Sequence, residues 1–148
     1  MPADWIEYSQ DSYTISTDPA RLDISLIHRF LSEEAYWAKG RSYEIVQNSI
    51  AHSLNFGVYQ QAVQVGFARV VTDYATFSWL CDVFILPDQR GQGLSKWLVN
   101  CVINHPDLKN LRRILLATTS ARTLYINYGG FEPIHGPERW LERFNPNS

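Results

Sequence analysis

The segment that decides the reading is Asp82-Val83-Phe84-Ile85-Leu86-Pro87-Asp88-Gln89-Arg90-Gly91-Gln92-Gly93-Leu94-Ser95-Lys96-Trp97-Leu98. Its first part closes a run, Ser78 to Leu86, rich in aromatic and β-branched residues, which suit a pleated, half-buried surface. Pro87 has no amide to give a ladder, so the strand should stop there. Gly91 and Gly93 reach backbone angles closed to other residues and place no Cβ over the turn. The period then changes. Leu94, Trp97, Leu98, Cys101 and Val102 share one face of a helix that Pro106 ends.

A glycine turn between a strand and a helix N-terminus is an anion site. The first amides of the helix lack intrahelical partners, and the helix dipole adds partial positive charge. Arg90 and Lys96 bracket the turn with full charges. The expectation is a phosphate or pyrophosphate held by Arg90, Gly91, Gln92, Gly93, Leu94, Ser95 and Lys96; the plainer reading is a turn with glycines at its corners. A dinucleotide fingerprint needs a third glycine where Lys96 stands. The Walker pattern G-x-x-x-x-G-K-[ST] is absent.

What the turn does resemble is R-G-x-G-x-[GA], the pyrophosphate loop of the GNAT acyltransferases. The strand end x-V-x-P-x-x-R-G is matched by Phe84 to Gly91, and Ser95 stands where Gly or Ala is usual. A second pattern of that family, A-x-x-L-Y-x-x-x-G-F, is nearly met by Ala121-Arg122-Thr123-Leu124-Tyr125-Ile126-Asn127-Tyr128-Gly129-Gly130-Phe131, with one extra glycine before Phe131. Two motifs in the right order are far more specific than either alone. The resemblance covers residues 13 to 144.

Composition bounds the alternatives. The chain of 148 residues is long enough for one domain, 1–148, and 45% hydrophobic content excludes disorder. No apolar run has the length of a membrane span, and Met1-Pro2-Ala3-Asp4-Trp5 has no signal-peptide pattern, so a cytoplasmic protein without a membrane partner is expected. A net charge of −2 argues against nucleic acid as a partner. Cys81 and Cys101 make no disulfide framework, and His28, His52, His105 and His135 show no metal spacing.

In chain order, Asp4 to Ser12 reads as polar and irregular, Tyr13 to Ser16 as a strand, and Asp18-Pro19 as the start of a helix running to about Glu34. A second helix spans Ser42 to Leu54, with Tyr43, Val46, Ile50 and Leu54 inward. Strands Phe56 to Tyr59, Ala62 to Thr72 and Thr76 to Leu86 form an antiparallel meander. After the third helix come a basic connector with Lys109, Arg112 and Arg113, and an apolar strand, Ile114 to Thr118, parallel to the one before the loop. A short helix, Ala121 to Tyr128, and a final hairpin, Phe131 to Ile134 with Arg139 to Phe144, complete the chain. The fold class is α/β (α+β): a mixed, mostly antiparallel central sheet with a splayed parallel strand pair and four flanking helices.

The resemblance implies acetyl transfer from acetyl-CoA, as co-substrate, to a primary amine of a small molecule or peptide. It implies that Val83, Phe84 and Ile85 offer main-chain groups to the pantetheine arm, with Thr118 of the neighbouring strand beside them. It implies that Tyr125 is the general acid and that the segment holding Tyr36, Trp37 and Arg41 walls the acceptor. One of Lys109, Arg112 and Arg113 is a candidate for the 3′-phosphate. Asp82 is read either as a general base or as a buried carboxylate paired with Arg69; Asp73, a second carboxylate near the acceptor, is also read as a turn residue. Cys81 is a candidate for a covalent route, but no visible base pairs with it. Arg41 and Arg69 together suggest an acceptor bearing a carboxylate. The alternative to an enzyme is an acyl-CoA-binding regulatory domain without turnover. A homodimer suits such a fold, though no residue specifies one.

Overall fold

The computed structural model describes residues 5–148; the reading of Met1 to Asp4 lies outside them. Six strands form one sheet in chain order: β1 (Glu7–Gln10), β2 (Tyr13–Ser16), β3 (Leu54–Gln60), β4 (Val63–Thr72), β5 (Phe77–Ile85) and β6 (Arg113–Leu115). Neighbours run antiparallel as far as β5, and β5 and β6 are parallel. Four helices flank the sheet: α1 (Ile24–Glu33), α2 (Tyr43–Ala51), α3 (Leu94–Ile103) and α4 (Arg122–Gly129). This is the expected class.

Strand alternation gives the sheet two apolar faces. Phe67 and Phe84 point to one, where Ile27, Phe30 and Leu31 of α1 and Val46 and Ile50 of α2 cover them. Phe30 stacks on Phe84 with centroids 4.0 Å apart. Val70, Leu80 and Ile85 point to the other, beneath Leu94, Leu98, Val99 and Val102 of α3. Each such side chain removed from water contributes about 1.5–3 kcal/mol.

Two irregularities position the site. Between Phe67 and Arg69 the β4–β5 register slips: their partners are Phe84 and Cys81, so Asp82 and Val83 together oppose the single residue Ala68. Asp82 adopts φ +53, the left-handed conformation that bulges use and Asp tolerates. The second is the shortness of the parallel pairing, which joins only Phe77–Trp79 to Arg113–Leu115. Beyond Trp79 the two strands part, and one edge of β5 has no strand partner among the described residues.

Several boundaries differ from the sequence reading. Residues 7–10 form a strand, because Asp11 at φ +56 closes a tight hairpin onto β2. Asp18 caps only a 3-10 turn, Pro19–Arg21, and α1 starts later under its own cap, Asp23, which accepts from the Leu26 amide at 3.0 Å. Tyr43 is exposed and Leu54 belongs to β3. β6 ends at Leu115 and is half-buried rather than sealed on both faces. The final hairpin does not form: Gly136 at φ +63 leads into a 3-10 turn, Pro137–Arg139, which carries the chain outward.

Candidate active site

The loop after β5 turns on its two glycines. Gly91 and Gly93 have φ +82 and +81, and a Cβ at either would meet nothing within 4 Å. Gly93 caps α3 and no side chain bonds to the first amides of that helix. The loop is tied to the body: Arg90 Nε donates to the Ile85 carbonyl at 2.9 Å, and Tyr13 Oη donates to Gln89 Oε1 at 2.6 Å and Gln92 Oε1 at 3.1 Å. Gln89 Nε2 in turn donates to Gln60 Oε1 at 3.1 Å. Arg90, Gly91, Gly93, Leu94, Ser95 and Lys96 line one groove with Ile85 and Leu124. Lys96 Nζ lies 4.4 Å from the centre of the Tyr128 ring. The basic connector is elsewhere, since Lys109, Arg112 and Arg113 line a groove that shares no residue with the loop's.

The loop makes a sharp prediction. Gly93→Ala should cost about 1 kcal/mol of stability through the strained φ alone. If the turn holds the diphosphate that the family resemblance implies, the added methyl group should also weaken acetyl-CoA binding at least tenfold by calorimetry. An unchanged dissociation constant would remove the anion from this turn.

Two residues back from Ile85 along β5 and one residue on from Leu124 along α4, Val83 and Tyr125 line a cleft of about 320 Å³. Its walls are Tyr36, Trp37, Arg41, Arg69, Trp79 and Asp82, with Thr118 and Ser120 from the segment after β6. Asp82 lies at its base with a side chain only 2% exposed. Trp37 Nε1 donates to Asp82 Oδ1 at 2.9 Å; Arg41 Nη1 donates to both oxygens, at 3.2 and 3.0 Å; Arg69 Nε donates to Oδ2 at 2.9 Å. Of the two readings of Asp82, the pairing with Arg69 is therefore present, and Arg41 joins it. Two guanidiniums surround one carboxylate, leaving the cleft a net positive charge. Arg69 is held from behind by the Ser53 hydroxyl, which accepts from Nη1 at 3.0 Å.

Burial pushes the Tyr125 phenol up to about 12, with the nearby Tyr36 a smaller cause. It therefore keeps its proton at any physiological pH. Tyr36 Oη accepts from the Thr119 amide at 3.2 Å; hydrogen bonding to the Thr119 side chain first, and to that amide second, lowers its pKa. Thr118 Oγ1 accepts from the Ala121 amide at 3.0 Å and fixes the turn into α4. The extra glycine is absorbed after Tyr125: Gly129 ends α4, and Gly130 takes φ +69 as its cap.

Other expected residues fall differently. Asp73 is remote from the cleft, at the exposed tip of the β4–β5 hairpin. Its carboxylate accepts from the Ala75, Thr76 and Phe77 amides and from the Thr76 hydroxyl, which hold its pKa well below the usual carboxylate range. It is a turn residue. Cys81 does line the cleft, but burial pushes its thiol up to about 11, away from nucleophilic thiolate. Phe84 sends its ring into the α1–α2 core, and the Ile85 carbonyl is already occupied by Arg90. Trp79 and Ser120 were not foreseen. Among the described residues, no cluster of His, Cys, Asp and Glu has metal-ligand geometry, and no helix is long and apolar enough to cross a membrane.

Glycine loop, parted parallel strands and buried tyrosine together define an acyl-CoA transferase architecture. The acetyltransferase (GNAT) family model matches residues 24–128, and the chain belongs to that family. A curated relative from Gibberella zeae, named as a candidate acetyltransferase, is 30% identical over 84% of this chain and 80% of its own. A crystal structure of a candidate GNAT acetyltransferase from Xanthomonas campestris pv. campestris is 49% identical, with a TM-score of 0.88 over 93% of this chain and 96% of that one. A candidate acetyltransferase from Clostridium acetobutylicum, solved with acetyl-CoA, is similar in fold at 16% identity and a TM-score of 0.63, covering 95% of each chain.

Proposed function

We propose that the chain is an acetyl-CoA-dependent N-acetyltransferase that acts on a primary amine of a small molecule or peptide. The observation that carries this reading is continuity. Ile85 and Leu124 line the anion groove, and Val83 and Tyr125 line the cleft, so one path runs from loop to cleft between β5 and α4. In this reading acetyl-CoA lies along that path and supplies an activated acetyl group.

Within this reading the free amides at the α3 N-terminus hold the diphosphate. The unpaired edge of β5 past Trp79 orients the arm and offers a main-chain amide to the polarised carbonyl. Tyr125 Oη holds the proton that the departing sulfur needs. The oxygens of Asp82 are occupied by Trp37, Arg41 and Arg69, which makes it the anchor of the acceptor wall. The amine's proton then leaves through solvent in the open cleft.

Two arginines against one carboxylate, beside the exposed rings of Tyr36, Trp37 and Trp79, support an acceptor that pairs an anionic group with its amine. The test is release of free CoA thiol in the presence of amino acids, their decarboxylated amines, polyamines, aminoglycosides and lysine peptides. Aromatic amino acids should show a KM at least tenfold below that of the matching amines, about 1.4 kcal/mol. Equal KM values would remove the carboxylate from the reading. Tight acetyl-CoA binding without thiol release from any amine would instead favour a regulatory domain.

A further inference from the structure

Tyr36 lies in the segment between α1 and α2 and lines the cleft, yet it is 56% exposed. An exposed tyrosine is ordinarily free to turn. This one is held at both ends. Its ring meets the Trp37 ring edge-on at a centroid distance of 5.1 Å, and Trp37 is itself tied to Asp82. Its oxygen reaches the segment that leads into α4, where it accepts from the Thr119 amide at 3.2 Å, a contact across 83 residues. The side chains of Thr119 and Ser120 also hydrogen-bond to that oxygen. The phenol therefore sits in a cradle of hydrogen-bonding groups and faces both cleft and solvent.

Hydrogen bonds to the charged form of an oxygen favour that form. The Thr119 side chain first, and the Thr119 amide second, hold the Tyr36 phenol below its ordinary value. The other ionisable groups lining the cleft are Arg41, Arg69, Cys81, Asp82 and Tyr125. Among these described residues none is free to take a proton. The Asp82 oxygens are occupied by Trp37, Arg41 and Arg69. Burial pushes Cys81 up to about 11 and Tyr125 up to about 12, so each keeps its own proton. The two guanidiniums outnumber the one carboxylate, and that excess positive charge favours loss of a proton beside them. Tyr36 is also near enough to Tyr125 to raise that phenol further. Two phenols in one cleft are pushed in opposite directions, the arrangement that separates a base from an acid.

We propose that Tyr36 is the general base of the reaction: its oxygen takes a proton from the acceptor ammonium as the phenolic proton passes to solvent. This rests on the acetyl-transfer reading and names the group by which the amine's proton reaches solvent. The neutral amine then forms the C–N bond to the acetyl carbon, and the C–S bond breaks. The sulfur takes the Tyr125 proton, and the proton that the nitrogen sheds as the amide forms restores Tyr125. One ammonium proton leaves by way of Tyr36 for each acetyl group moved. A buried base could not hand that proton on, whereas a half-exposed phenol fixed against Thr119 faces acceptor and solvent in turn.

Tyr36→Phe keeps the ring and removes only the oxygen, so the circular dichroism spectrum should not change. The probe is whichever amino acid, decarboxylated amine, polyamine, aminoglycoside or lysine peptide releases CoA thiol fastest with wild type. Its kcat/KM should fall at least about tenfold at pH 7 in the variant. At pH 10 the solution itself deprotonates much of the amine, and the deficit should shrink to within about threefold. A residue that merely shapes the wall would give one deficit at both pH values. A second readout needs no acceptor: the tyrosinate absorbance of wild type minus that of Tyr36→Phe should titrate with a midpoint below about pH 10, the ordinary tyrosine value. A deficit below tenfold at pH 7, a deficit that does not change with pH, or a midpoint at or above pH 10 overturns the proposal and leaves acetyl transfer standing. Absence of thiol release from wild type with every amine removes acetyl transfer, and the base with it.

Discussion

Tyr125→Phe should lower kcat roughly 100-fold and leave the KM for acetyl-CoA within about twofold, since a positioned general acid is worth about 10²–10⁴ in rate. Only an oxygen is lost. The ring keeps its buried place and its edge-to-face contact with Phe131, at a centroid distance of 5.7 Å, so the fold is little changed. The pH profile carries an independent sign. Because burial raises the phenol to about 12, wild-type activity should rise with pH as the acceptor amine loses its proton. It should show no descending limb below about pH 10, the ordinary tyrosine value. A fall centred near pH 8 would assign the acid to another group. A kcat within threefold of wild type for the phenylalanine variant would take Tyr125 out of the chemistry.

Asp82→Asn should have the largest effect on stability. The change leaves Arg69, with a side chain 11% exposed, and Arg41, at 24%, facing each other without a counter-charge. Breaking a buried ion pair costs about 3–5 kcal/mol, and the partial exposure of Arg41 points to the lower end. A loss of about 3 kcal/mol corresponds to a fall in Tm of roughly 10 °C for a domain of this size. Asparagine tolerates the left-handed backbone that Asp82 adopts, so the bulge itself should survive. Asp82→Ala removes that tolerance as well and should cost about 1 kcal/mol more. If asparagine sits within 1 kcal/mol of wild type, the carboxylate is not the anchor described here. If stability falls and the amine KM is unmoved, Arg41 and Trp37 are not the acceptor wall.

The contrast between these two residues shows what the sequence makes legible. The loop is local chemistry: Gly91, Gly93 and the strand and helix beside them sit within one short stretch, and the strand, turn and helix read there are all present in the structure. The wall of the cleft is not local. Trp37 and Arg41 reach Asp82 across 45 and 41 residues, and only the fold brings them together. Trp79 was missed for a definite reason. Strict alternation sends Trp79 and Asp82 to opposite faces of β5, but Asp82 is itself a bulge residue at φ +53, and that break in the alternation leaves both lining the cleft. The cue available was modest: a Trp three positions before an Asp on a strand that must bend away from its neighbour. Asp73 failed as an acceptor residue because a carboxylate followed by three donors folds back on its own turn. The last hairpin failed because pattern gives a segment's propensity, not its turn: Gly136 at φ +63 leads into a 3-10 turn instead of closing two strands.

The ties from Tyr13 and Gln60 to Gln89, and from Arg90 to Ile85, lock the glycine loop before any ligand arrives. The conformational entropy of that turn is lost during folding, so little remains to be lost on association. Under the proposed function, how firmly the turn grips the diphosphate is therefore set partly by side chains on β2 and β3.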